Sequence, residues 1–344
     1  MSSNKICLGL NDNFKKFNKS DFERIIKKAV SLEYKFIDTA DTYYNGQLHE
    51  IITKSLNKNR KKINIINKFQ LVEKGKIMEN LNRSLKKLNT EFLDIYMPHW
   101  PSTFFEPELM CEQAEKMIKQ GKIRFFGLSN FSLKLVKQFK KFYKKKIFIQ
   151  NEININNFYS VKDLIEYSQG ENIDIFSYSI NNNFPKYNNL VKREKKTKKI
   201  NDYEFSLYWL KSFHNIIPIV RTKKINRLIK NSKIINDKII LSKKPLLYCK
   251  NNFKFININR IRRISSESGI IYKSLEEAKK NKFNLFPSPT LISKEIKKFG
   301  LLKPFYVQKR KTDNDFNLIS GQARFWAYQI VFKKTDSIPA IIVD

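Results

Sequence analysis

The chain has 344 residues, with 67 lysines and arginines against 32 acidic residues and a formal net charge of +35. That length admits one α/β barrel of roughly 250 residues plus something smaller. Cys7, Cys111 and Cys249 are too far apart for metal-ligand or disulfide spacing, so no metal site is expected and a reducing, cytoplasmic compartment is.

The N-terminal MSSNKICLGL lacks a charged segment followed by a long apolar run, and no apolar stretch nears the ~18 residues of a membrane span. Neither a secretory signal nor membrane association is expected. The excess of lysine invites a nucleic-acid reading, because basic surfaces bind phosphate backbones by releasing counterions. Lysine, asparagine and isoleucine are abundant together, however, as A/T-rich coding produces, and the lysines spread over nearly every predicted helix. Specific nucleic-acid binding is therefore not expected, only weak nonspecific attraction at low salt.

In chain order, helical periodicity alternates with short apolar runs. Helices are predicted over 23–34, 49–59, 77–89, 111–120, 133–145, 161–169 and 202–213, each followed by a strand: KFID, INIIN, FLDIYM, IRFFGLS, IFIQNEI, IDIFSYS and IIPIVR. The lysine-rich segment 181–200 reads as a polar loop whose cations either help to close over an anionic ligand or simply form a solvated surface. The pattern stops after Asn231, and 232–251 reads as a basic linker. A second α+β pattern then covers 252–344, with helical and strand signals in 293–307, 316–331 and 338–344.

Four residues with chemistry sit at predicted strand ends: Asp38, Tyr43, Lys68 and His99. A tyrosine with a pKa near 10 is a poor acid at neutral pH, and a neighbouring ammonium lowers that value by favouring the phenolate. Lys68 could act so on Tyr43, with Asp38 holding the ammonium and His99 orienting a substrate oxygen. The plain alternative is an Asp38–Lys68 salt bridge inside the barrel; charge at two neighbouring strand ends favours a site. His49 and His214 read as structural.

The motifs around these residues resemble the aldo/keto reductase family. D-T-A-x-x-Y stands at Asp38 to Tyr43, S-L-x-x-L at Ser84 to Leu88, and D-x-Y-x-x-H-W-P at Asp94 to Pro101. G-K-I-R-x-x-G-x-S-N-F runs from Gly121 to Phe131, and Q-x-E from Gln150 to Glu152. The resemblance implies a (β/α)8 TIM barrel over residues 1–231 and NADP-dependent reduction of a small carbonyl substrate, an aldehyde or ketone. Tyr43, Asp38, Lys68 and His99 would be catalytic, and Trp100 and Tyr44 would line the substrate pocket. Ser129, Asn130 and Gln150 would hold the nicotinamide carboxamide, and Tyr178, with Ser179 beside it, would stack on the ring. Residues 220–231 align with the family's P-K-S-x-x-x-x-R-x-x-E-N segment, with Arg221 in place of lysine, Thr222 in place of serine, and Arg227 and Asn231 matching, which implies a 2′-phosphate site, hence NADP.

Gly9-Leu10-Asn11-Asp12 departs from the usual glycine-threonine turn, Pro98 replaces an aliphatic residue before His99, and Lys230 replaces a glutamate. These departures keep open a second reading, a non-catalytic cofactor-sensing or regulatory protein. Residues 252–344 are similar to the ParB/sulfiredoxin-like domain. Ile292 and Ile296 precede Gly300, Leu302 and Pro304, and a G-x-x-R box follows at Gly321 to Arg324. Gly321 and Arg324 could bind a nucleotide or phosphate, or merely shape a strand-to-helix turn. Gln322 and Ala323 occupy the places that sulfiredoxin chemistry gives to cysteine and histidine.

Overall fold

The computed structural model describes residues 5–11, 17–71, 76–180, 189–237, 239–263, 272–285, 287–301, 303–332 and 336–343. They fall into two compact units: a barrel unit that runs to Tyr248, and a second unit over Cys249–Asp344 that also takes Ile155–Lys162. Among the described residues, no helix is long and apolar enough to cross a membrane.

The barrel strands are β1 (Cys7–Gly9), β2 (Phe36–Ala40), β3 (Asn64–Phe69), β4 (Leu93–Pro98), β5 (Ile123–Ser129), β6 (Ile147–Glu152), β7 (Asp174–Tyr178) and β8 (Ile216–Val220). They pair in parallel in that order and close through β1 on β8, giving the (β/α)8 barrel expected from sequence. The helices are α1 (Lys19–Ser31), α2 (Gln47–Leu56), α3 (Ile77–Leu88), α4 (Pro107–Lys119), α5 (Leu133–Phe142), α6 (Phe158–Gly170), α7 (Asn189–Lys198), α8 (Asp202–Lys211) and α9 (Ile225–Asn236).

Alternation along each strand sends one set of side chains inward and the other towards the helices. The inward set packs Cys7, Ile66, Ile95, Met97, Phe148, Phe176, Ile217 and Ile219 into an apolar plug. That plug fills the barrel and leaves the chemistry to the strand ends. On the outer layer, α3 buries Ile77, Leu81, Leu85 and Leu88, a 3.6-residue stripe.

Two segments differ from the sequence reading. Within 181–200, Asn189–Lys198 is a helix, whereas 181–188 lies outside the described residues. Val191 and Glu194, three apart, bury one side of it while good helix formers face outwards. The segment read as a linker is also built differently. The last barrel helix continues to Asn236, and the residues after it fold back onto the barrel. Glu194 accepts hydrogen bonds from the Ser242 amide at 3.0 Å and the Tyr248 hydroxyl at 3.1 Å, and Trp209 donates to the Pro245 carbonyl at 3.0 Å. A buried carboxylate with several donors ties that segment down, which a lysine-rich composition does not disclose.

The second unit holds β9 (Phe253–Asn257), β10 (Ile261–Arg263), β11 (Phe305–Lys309), β12 (Phe316–Ser320) and β13 (Ser337–Val343), with α10 (Leu275–Lys279), α11 (Pro289–Phe299) and α12 (Gln322–Val331). The sheet is mixed, in the order β10-β12-β11-β13-β9. Its core gathers Phe305, Val307, Leu318, Phe325, Trp326 and Ile338.

Candidate active site

Asp38 and Lys68 stand on neighbouring strands, where Ala40 pairs with Lys68 and Asp38 with Ile66. Both are buried, at 4% and 1% exposure, and the Lys68 ammonium donates to Asp38 Oδ1. Gln150 Nε2, from β6, donates to the same oxygen at 2.7 Å. Two donors on one carboxylate oxygen are what a buried ion pair needs, since the charges have lost their water.

Tyr43 follows β2 in the turn before α2. Its ring centroid lies 5.0 Å from Lys68 Nζ, and Lys68 and Asn11 both act on its hydroxyl in the direction of a lower pKa. Burial raises the Tyr43 pKa, Lys68 lowers it and Asp38 raises it; the net direction is upward. This differs from the reading in which the ammonium sets the shift, because burial disfavours phenolate more than Lys68 favours it. Tyr43 is therefore a protonated phenol at neutral pH, the state from which an acid begins. Lys68 is pulled down by burial but lifted more by Asp38 and Tyr43, so it stays charged.

His99 closes the group, its ring 5.8 Å from that of Tyr43 at an edge-on 76°. The His99 amide donates to the Phe69 carbonyl at 2.8 Å, so the β3–β4 ladder resumes one residue beyond the proline. Trp100 is half-buried next to it. Tyr44 turns the other way, packing its ring against Phe17 and Phe22 at 5.1 and 5.5 Å.

The amide group gathers at the ends of β5, β6 and β7. Asn130, at φ 65°, donates through Nδ2 to the His99 carbonyl at 2.9 Å and to Ser129 Oγ at 3.1 Å. Its Oδ1 accepts from the Tyr178 hydroxyl, and Ser129 Oγ donates to Gln150 Oε1 at 3.4 Å. Ser129, Asn130, Gln150 and Tyr178 are thus one connected network reaching Asp38. Ser179, at φ 50°, gives its carbonyl to Asn154 Nδ2 at 3.2 Å.

The phosphate candidates divide. Arg221 and Arg227 are exposed; Arg221 donates to the Asn11 carbonyl at 3.1 Å, and Thr222 Oγ1 accepts from the Lys224 amide at 3.0 Å. Asn231 is instead buried at 1% exposure beside Tyr34 and Tyr203. Lys230, standing where a glutamate was expected, pairs with Glu204.

In the second unit Gly321 adopts φ 108°, a conformation that favours glycine. Arg324 donates to the carbonyls of Lys303 at 2.9 Å and Pro304 at 3.1 Å, and its guanidinium lies 5.5 Å from the Phe305 ring centroid. A cation committed to two carbonyls and an aromatic face ties a loop down.

Sequence reasoning missed Asn11 at the Tyr43 hydroxyl and a polar cluster of Asp41, His49, Asn67 and Ser84 outside the barrel wall. One signal was available, an asparagine next to Lys68 in the buried stretch of a strand whose other buried residues are apolar.

The aldo/keto reductase family model matches residues 5–183, just over half of the chain. The chain belongs to the aldo/keto reductase family. Among curated family members, it is 28% identical over 168 residues to a glyoxal reductase of Bacillus subtilis (strain 168), covering 48% of this chain and 60% of the relative. It is 34% identical over 107 residues to methylglyoxal reductase YeaE of Escherichia coli (strain K12), covering 30% and 37%. This family member spans between 37% and 60% of the length of those two relatives. Among solved structures, an aldo/keto reductase from Klebsiella pneumoniae in complex with NADP and acetate superposes with a TM-score of 0.62 at 19% identity, over 71% of this chain and 89% of that one. An aldose reductase from Schistosoma japonicum gives 0.59 at 22% identity, over 71% and 86%. At such identities the likeness is one of fold.

Proposed function

We propose that the chain is an NADP-dependent oxidoreductase that interconverts a carbonyl and an alcohol. The observation carrying this reading is the meeting of Asp38, Lys68, Tyr43 and His99 at one end of the barrel, with a protonated phenol against a buried ammonium. Family membership supports it, as do the carbonyl reductases among the relatives.

The residues suit a nicotinamide cofactor. Ser129, Asn130 and Gln150 converge as an amide and hydroxyl set fitted to a carboxamide, Tyr178 offers an aromatic face beside them, and exposed Arg221 and Arg227 suit a 2′-phosphate. Bound there, the cofactor supplies or accepts the hydride. The chain's own residues do the rest. His99 and Tyr43 orient the substrate oxygen, Trp100 walls the pocket, and Tyr43 gives its hydroxyl proton to that oxygen as negative charge develops. Lys68 stabilises the phenolate left behind, and Asp38 with Gln150 keeps Lys68 charged.

Small α-oxoaldehydes, the substrates named for the relatives, are the first members of a test panel. NADPH oxidation should follow added aldehyde, and Tyr43→Phe should retain cofactor binding while turnover falls on the order of 10²–10⁴-fold. If neither NADPH nor NADH binds at high micromolar concentration, the catalytic reading fails. Binding without turnover on any carbonyl would favour the cofactor-sensing alternative. The cytoplasm is the proposed location, in keeping with three buried cysteines.

For residues 252–344 we propose a ParB/sulfiredoxin-like domain, supported by the order of its sequence pieces and by a five-stranded mixed sheet packed with helices. A phosphate held at Gly321 to Arg324 would have to compete with the Lys303 and Pro304 carbonyls for Arg324. Calorimetry of the full chain with ATP and CTP, repeated on Arg324→Ala, tests that ligand reading. Heats unchanged by the substitution would leave Arg324 a structural tie.

A further inference from the structure

The turn carrying Tyr43 is strained. Tyr44, Asn45 and Gly46 follow it with φ of 49°, 56° and 81°, a left-handed run that residues with a Cβ hold only where their surroundings over-determine it. Both flanks of this run return to one side chain. Asp41, two residues before Tyr43, accepts from Asn67 Nδ2 at 2.9 Å. His49, three residues after Gly46, places Nε2 3.3 Å from Asn67 Oδ1.

Asn67 is fully buried and immediately precedes Lys68 in β3. Strand alternation turns the two side chains to opposite faces, Lys68 into the barrel and Asn67 towards α2 and α3. A carboxamide gives to a carboxylate through one atom and accepts an imidazole N–H through the other. This geometry assigns the Nε2–H tautomer to His49, from the network itself. Burial lowers the His49 pKa more than Asp41 raises it, and Lys87 lowers it further, so the ring is neutral as that tautomer requires. Ser84 Oγ, from α3, adds a second donor to Asp41 Oδ1 at 2.8 Å, and the Asp41 amide donates to the Lys68 carbonyl at 3.0 Å.

We propose that Asn67 is a positioning residue that staples both ends of the strained turn to the strand of Lys68, fixing the Tyr43 hydroxyl against the Lys68 ammonium. The proposal rests on Tyr43 being the proton donor. Asn67 touches neither substrate nor the reacting atoms; it acts only through Tyr43.

The test uses Asn67→Ala, with Asp41→Asn as a milder second variant should the first fail to fold. Turnover should fall on the order of 100-fold with the NADPH dissociation constant unchanged, the loss expected of a catalytic group moved by about 1 Å. In a Tyr43→Phe background the same substitution should cost nothing further. With ¹³Cζ-tyrosine labelling, and Tyr43→Phe to assign the signal, the Tyr43 resonance should move towards that of free tyrosine. An equal loss in both backgrounds, or an unmoved resonance, overturns the proposal. Should the wild type show no turnover, the proposed reaction falls, while the resonance still decides the staple.

Discussion

The Asp38–Lys68 pair lends itself to a double-mutant cycle that separates structure from chemistry. The side chains are 6% and 0% exposed, and Gln150 adds a 2.7 Å hydrogen bond to the carboxylate. Asp38→Asn leaves the ammonium in the barrel with only polar company, and Lys68→Met leaves a carboxylate there. Removing one partner of a buried pair costs about 3–5 kcal/mol, which for a unit of this size is a drop of several degrees or more in Tm. Replacing both charges by neutral groups of similar volume is often neutral. The double variant should therefore be more stable than either single, with a coupling energy of about 2 kcal/mol or more. Urea and thermal unfolding followed by circular dichroism, with NADPH turnover on the same samples, make the measurement. All three variants should be inactive, since the ammonium beside Tyr43 is gone or mispositioned in each. Additive destabilisation would refute the pairing, and an active double variant would refute its role in the chemistry.

Three further outcomes are expected. Arg221→Ala combined with Arg227→Ala should weaken NADPH binding at least tenfold and leave NADH binding within about threefold, because only the 2′-phosphate needs the cations; fluorescence titration with both cofactors reads this. Lys68, Tyr34 and Tyr96 all have folded-state pKa values raised above their usual ones, Lys68 by Asp38 and Tyr43 against the opposing effect of burial, the two tyrosines mainly by burial. The folded chain thus keeps protons that the unfolded chain releases, so the stability these three groups contribute is complete below about pH 10 and lost as pH rises through their folded-state values; urea midpoints from pH 7 to 11 should fall at the alkaline end. Glu295, on α11, is raised by burial to about 7, so its contribution is complete below pH 4.5 and lost as pH rises through 7. Glu295→Gln should stabilise the second unit at pH 8 by no more than about 2 kcal/mol, given its partial exposure, and leave it unchanged at pH 4, as thermal melts at the two pH values would show.

The barrel and the four strand-end residues were legible because short-range signals carry them. Apolar runs alternate with helical stripes, and Asp38, Tyr43, Lys68 and His99 sit in dense local motifs. What was not legible depends on burial or on distant partners. The direction of the Tyr43 shift follows from desolvation, which no spacing reports. The helix at 189–198 has only two buried side chains, so its stripe is too narrow to stand out among lysines. The pairing of Glu194 with Ser242 and Tyr248 joins residues some fifty positions apart, which made a tied-down segment look like a linker. The two readings of Arg324, anion ligand or part of a strand-to-helix turn, stayed open in the sequence because its acceptors, the Lys303 and Pro304 carbonyls, come from a loop twenty residues away.

Asn67 and Lys68 show why a motif can identify chemistry and miss its support. Alternation in β3 forces adjacent residues to opposite faces, so the residue beside a catalytic lysine must look into the helix layer. An apolar residue there would pack against α2 and α3 and leave the turn after Tyr43 held by local contacts alone. A carboxamide there reaches Asp41 and His49 and brings both ends of that turn to the strand. The inward face sets the charge that Tyr43 meets, and the outward face sets where Tyr43 stands. Substitutions at 67 and 68 should therefore divide cleanly: Lys68→Met changes the electrostatics of a well-placed phenol, whereas Asn67→Ala misplaces a phenol whose partner is intact.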